Sequence, residues 1–172
     1  MPPGFLHALK RFGLDQRGAV LVEMTLITPL VLTLAAGVFE FSSIIHTKLL
    51  IEAGIEDGAR YLARCIRRPA DKPACETAAK NMAVTATTNG TGALRATGCS
   101  PAWATGAISV TYPSFLSVDP GTGDRNYLSV DTTVEVADVS TTCQYVGTGL
   151  LSFIGFSPLT LTVSHDERIL GW

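Results

Sequence analysis

From Ala19 to Phe39 the chain runs for 21 residues with one ionisable side chain, Glu23. As a helix at about 1.5 Å per residue, such a run covers roughly 30 Å, the thickness of a bilayer's hydrocarbon core. A lipid-exposed single segment satisfies its backbone donors and acceptors only as a helix, so this run predicts a membrane-spanning helix. Glu23 is then an anomaly. Insertion scales put a centrally placed charged residue at about 2.5 to 3.5 kcal/mol, and an intramembrane acid calls for a partner that offsets this cost.

The flanks give the span a direction. Lys10, Arg11 and Arg17 precede it against Asp15 alone, and the first Lys or Arg after it is Lys48. By the positive-inside rule the N-terminus is cytoplasmic and the larger C-terminal part lies across the membrane. Charged residues make up 16% of the chain, against about 25% in an average soluble domain. The depletion is concentrated in the span, and usage beyond Lys48 is that of an ordinary globular domain. A net charge of −2 gives no basic footprint for nucleic acid as the main partner.

The organisation expected is a basic leader over residues 1–18, a transmembrane segment over 19–40 and an exported domain over 41–172. The leader, with Pro2, Pro3, Gly4 and Gly13, is too broken for a stable element. Pro29 predicts a kink within the span. Ile44, Ile51, Ile55, Ala59, Leu62 and Ile66 then recur at helical spacing and form an apolar stripe that must be covered. On the other face, Lys48 with Glu52 and Glu56 with Arg60 form i, i+4 pairs worth a few tenths of a kcal/mol each. Arg64, Arg67 and Arg68 crowd the end of this helix and Pro69 stops it.

A second helix is expected over "DKPACETAAKNMAVTATTNG", with Asp71 at its cap, Pro73 in its first turn and Asn89-Gly90 as its stop. The apolar period then changes to two. Ile108, Val110 and Tyr112 predict one strand, Leu128, Val130, Val134 and Val136 another, and Leu159, Leu161 and Val163 a third. With no long helical crossovers between them, the strands are antiparallel. The fold class is α+β: a long N-terminal transmembrane helix continuing into an exported domain with a second helix and a small antiparallel sheet, whose apolar face covers the stripe. Leu150, Leu151, Phe153, Ile154 and Phe156 predict a short core helix, with a surface patch as the other reading.

The four cysteines, Cys65, Cys75, Cys99 and Cys143, all fall in the exported part, where an even count favours two disulfides. The favoured pairing is Cys65 with Cys75, linking neighbouring helices, and Cys99 with Cys143, linking a loop to the sheet. No C-x-x-C spacing or ligand cluster predicts a metal site. Enzyme signatures are sparse: His7, His46 and His165 lie far apart, and no nucleophile elbow, P-loop, zinc-protease or dinucleotide motif occurs. Asp166 and Glu167 are adjacent in an apparent strand and so point to opposite faces. "VDPGTGD" at 118–124 reads as a turn rather than a calcium loop, and "NGT" at 89–91 reads as a helix stop as readily as a glycosylation acceptor. No catalytic activity and no cofactor are expected.

Arg17-Gly18-Ala19, Glu23, Leu26, Pro29-Leu30, Gly37, Glu40 and Gly58-Ala59-Arg60 form an ordered set over about the first third of the chain. In this set the sequence resembles the TadE-like minor pseudopilins of the Tad (Flp) pilus machinery, which are type IV pilin-like proteins. Met24-Thr25 stands where that family commonly shows an aromatic or aliphatic residue followed by alanine. The related TadG-like proteins are usually much longer, so the size of the chain favours TadE.

The resemblance implies a bacterial inner-membrane protein with a periplasmic head, cut by a membrane-embedded prepilin peptidase between Gly18 and Ala19. Its partners would be that peptidase, other Tad pilins and pseudopilins, the inner-membrane pilus machinery and membrane lipid. Cleavage frees an α-amino group at Ala19, which Glu23 can pair with, on a neighbouring subunit by preference. The mature chain would hold ten basic against fourteen acidic side chains, a net charge of −4. Two other readings compete. A secreted protein cut after "TLA" at 33–35 would begin at Ala36 and lose Glu23, and an unprocessed single-pass anchor carrying a binding module would keep its leader.

Overall fold

A computed structural model describes residues 16–129, 131–147 and 158–170. Most of the leader, Val130 and the apolar segment 150–156 lie outside the described residues. The chain divides into two compact units, Met1–Glu40 and Phe41–Trp172. Helix α1, Gln16–Cys65, supplies residues to both and contains Pro29.

In the second unit, helix α1 is followed by a 3-10 turn at Pro69–Asp71 and by helix α2, Lys72–Thr85. Four strands complete the described architecture: β1, Ile108–Thr111; β2, Ser114–Leu116; β3, Thr133–Tyr145; and β4, Leu159–Arg168. This is the expected α+β class.

Strand β3 organises the sheet. Along one edge it pairs antiparallel with β4, from Val136 opposite Arg168 to Tyr145 opposite Leu159. Along the other it pairs with β1 (Ile108 opposite Thr141) and then with β2 (Phe115 opposite Val134) in one unbroken register. Pro113, between β1 and β2, has no N–H to offer, but its carbonyl still accepts from the Val136 N–H at 2.9 Å. The donor that proline lacks there faces β3, and the ladder is interrupted between β1 and β2 at this residue.

The strand period decides which side chains meet the helices. Ala137, Val139, Thr141, Cys143 and Tyr145 alternate inward along β3, joined by Leu161 and Val163 of β4 and Ile108 of β1. They pack over Ile51, Ile55, Ala59, Leu62 and Ile66 of the α1 stripe, with Ile44 at its margin. Burying each of the larger aliphatic side chains contributes about 1.5 to 3 kcal/mol.

Helix α2 meets α1 through small residues. A Cβ added at Gly54 would lie 2.5 Å from the Ala83 carbonyl oxygen and 2.8 Å from Trp103, and one at Gly58 would lie 3.1 Å from the Ala83 Cβ. The two helices approach closely because neither position carries a side chain. The Cys65–Cys75 disulfide, with 5.7 Å between Cα atoms, ties the end of α1 to α2. The Cys99–Cys143 disulfide, at 5.5 Å, ties the loop before β1 to β3. This is the pairing the sequence favours.

That loop is the part of the core which sequence periodicity misses. Trp103 is buried, its indole N–H donates to the Thr141 hydroxyl at 3.0 Å, and that hydroxyl donates to the Ala107 carbonyl at 2.8 Å. Arg95 anchors the same loop with an ion pair to Asp57 of α1 at 2.7 Å.

Three boundaries differ from expectation. Helix α2 ends at Thr85, not at Asn89-Gly90, because Ala86 takes a left-handed conformation and its N–H closes on the Met82 carbonyl. Asp71 does not cap α2 with its side chain; its carboxylate instead accepts from the Arg68 N–H and guanidinium. The strand expected from Leu128 starts only at Thr133, and Leu128 is 81% exposed.

At the junction of α2 with the sheet, the Lys72 ammonium pairs with Glu135 at 2.8 Å and lies 4.2 Å from the centroid of the Tyr112 ring. The Tyr112 hydroxyl donates to Glu76 at 2.8 Å. Burial pushes the Tyr112 phenol well above its ordinary value, aided by the bond to Glu76 and by the negative charges of Glu76 and Glu135.

Gly54→Ala should destabilise the second unit by about 1 to 3 kcal/mol in denaturant unfolding, because the added methyl collides with backbone. Gly37→Ala, which meets nothing within 4 Å, should leave that transition in place. A second outcome concerns pH. The phenol is held protonated in the folded state while the unfolded phenol ionises near about pH 10. Its stabilising contribution is therefore complete below that pH and is lost as the pH rises further. Tyr112→Phe should cost about 1 kcal/mol near neutrality and flatten the alkaline loss of stability.

Candidate functional site

The first unit's portion of α1 presents apolar side chains all round. Leu21, Met24, Leu26, Leu30, Leu34 and Val38 are each more than half exposed. A helix apolar on every side is one that lies in lipid or in the core of a larger assembly. The segment is long and apolar enough to cross a membrane once.

Its polar residues are handled locally. Thr25 donates to the Val22 carbonyl at 2.8 Å, Thr28 to Met24 at 2.6 Å and Thr33 to Pro29 at 2.8 Å. Each hydroxyl is satisfied by its own helix, so three threonines sit in an apolar segment without an external partner.

Gly18 and Ala19 lie in the first turns of α1, both exposed, and a Cβ at Gly18 would meet nothing within 4 Å. Glu23 is also exposed, four residues on from Ala19 and thus on the same helical face. Because helix side chains lean toward the N-terminus, the Glu23 carboxylate is directed back toward Ala19. This position places a carboxylate one helical turn from Ala19. Glu40, part of the same ordered set, is 1% exposed.

No other candidate chemistry is assembled among the described residues. No group of three His, Cys, Asp or Glu side chains is placed to hold a metal there. His165 lies 3.4 Å from Glu167, which also faces Arg60 at 3.6 Å, while Asp166 points to the opposite face of β4. In the 118–124 turn the Asp119 carboxylate accepts the N–H groups of Gly121 and Thr122, a turn-closing role. Asn89 likewise accepts from the N–H and hydroxyl of Thr91.

The described residues combine a single long apolar helix that carries an acid near its start with a disulfide-tied α+β unit. Residues 18–60, a quarter of the chain, match the family model described as TadE-like protein. The match is consistent with a TadE-like protein of the Tad pilus system. No curated protein and no solved structure matches the chain.

Proposed function

We propose that this protein is a minor pseudopilin contributing to assembly of a Tad-type pilus. A prepilin peptidase removes the 1–18 leader on the cytoplasmic side, residues 19–40 hold the chain in the inner membrane, and residues 41–172 form a periplasmic head. The observation that carries this reading is the one-turn spacing of Ala19 and Glu23 on a shared face at the start of an apolar helix. The TadE-like match over 18–60 supports it. A signal-peptidase cut before Ala36 would divide that matched segment.

The mechanism is electrostatic. Cleavage converts the Ala19 amide into an α-amino group with a solution pKa of about 7.7 to 8.0, largely cationic at neutral pH. In lipid that ammonium and the Glu23 carboxylate each lower the other's desolvation cost. Within one chain the helix geometry brings them near, and between chains the same pair fixes the axial register of two packed helices. The apolar surface of residues 20–39 supplies the remaining contact with other Tad pilins and with lipid.

Intact mass of membrane-extracted protein from the native host should correspond to a chain beginning at Ala19. Glu23→Gln should insert and be processed normally, yet copurify with other Tad pilins at about one tenth of the wild-type level, the scale of one lost ion pair. Residues 1–18 retained in assembled material, or a start at Ala36, would refute this reading.

A further inference from the structure

A cavity of about 1110 Å³ opens in the second unit, where the end of α1, the start of α2, the loop before β3 and the end of β4 converge. Five cations line it: Arg67, Arg68, Lys72, Arg125 and Arg168. The acids of the lining are Asp131 and Glu135, so the wall itself carries +3 on a chain of net −2, leaving −5 for all the rest. Three separate chain segments, 66–72, 125–135 and 168–169, bring this charge together.

Part of it is already engaged. Arg68 is paired with Asp71 at 3.3 Å and Lys72 with Glu135 at 2.8 Å. Arg168 donates to the Leu128 carbonyl at 2.8 Å, which holds the loop against β4. Arg67 and Arg125 are exposed and have no carboxylate partner among the described residues. The floor is apolar: Ile66 and Val134 are buried, and Ile169 is half-buried. Leu128, 81% exposed, stands on the rim.

We propose that this groove binds an acidic peptide segment of a partner protein, with two carboxylates flanking an aliphatic side chain. Guanidinium groups match carboxylates through paired N–H donors, and two unpartnered arginines supply two such forks. The apolar floor and Leu128 receive the aliphatic side chain between them. The volume lies just above the usual range for small-molecule pockets and suits several residues rather than one small anion. A flat lipid surface cannot reach a recessed floor, and the −5 on the rest of the chain opposes the approach of a long polyanion. The proposal is independent of how the N-terminus is processed.

The test uses the full chain in nanodiscs of zwitterionic lipid and a rhodamine-labelled peptide, acetyl-Gly-Asp-Leu-Glu-Gly-amide, followed by fluorescence anisotropy. Saturable binding is expected, weakened when salt rises from about 50 to about 300 mM. The Asn/Gln analogue of the peptide, and the double variant Arg67→Glu with Arg125→Glu, should each bind about tenfold more weakly or worse. The thermal midpoint of the variant reports whether it is folded, and Arg125→Gln alone gives a milder form of the same loss. Absence of saturable binding to the wild type overturns the proposal, as does equal binding by the folded variants. Pyrophosphate or a short single-stranded oligonucleotide that binds through the same arginines while the acidic peptide does not would reassign the groove to a phosphate ligand and equally overturn it.

Discussion

The exclusion of water from the stripe Ile51, Ile55, Ala59 and Leu62 is the interaction on which the second unit depends. A helix with this stripe uncovered would expose more contiguous apolar surface than a soluble unit normally tolerates. Two different elements cover it. The sheet lays the inward residues of β3 and β4 over one side, and α2 closes the other through the small-residue contact of Gly54 and Gly58 with Ala79 and Ala83. The disulfides then hold α2 and the Trp103 loop in the places where this cover requires them.

The same helix faces a different requirement earlier in its sequence. There the apolar side chains have no protein cover, and what matters is that no polar group is left without a partner. The threonine hydroxyls meet this condition by bonding back to the helix. Glu23 cannot meet it in that way, because an ionised carboxylate accepts and does not donate, so it cannot bond back to the carbonyls of its own helix. In the proposed function a cation produced by proteolysis one turn away would resolve the conflict, which is why processing and assembly are linked there.

Much of this was legible because period and charge are local properties. The 3.6-residue spacing of the stripe, the two-residue alternation of Ile108, Val110, Leu161 and Val163, and the i, i+4 pairs of Lys48 with Glu52 and Glu56 with Arg60 all require only neighbours in sequence. The misses have an equally plain cause. Thr85 ends α2 ahead of the Asn-Gly signal at the left-handed Ala86, and the chain then folds back so that a Cβ at Gly92 would fall 2.3 Å from the Thr85 carbonyl oxygen. Leu128 alternates with later valines yet stays outside the sheet, since the chain preceding β3 is engaged in the loop bonds of Ser117 with Asn126 and Tyr127. Trp103 carries no periodic signal, being a single large residue in a stretch of small ones, with Cys99 nearby as the one local hint of an ordered loop.

By itself the sequence determined the span, its orientation signal, the ordered set from Gly18 to Arg60, and the α+β class, because each follows from spacing along one chain segment. Only the tertiary structure decided the rest. The burial of Trp103 and the convergence of Arg67, Arg125 and Arg168 on one cavity join residues tens of positions apart. Proximity of that kind is created by packing the sheet onto the helices and leaves no trace in local periodicity.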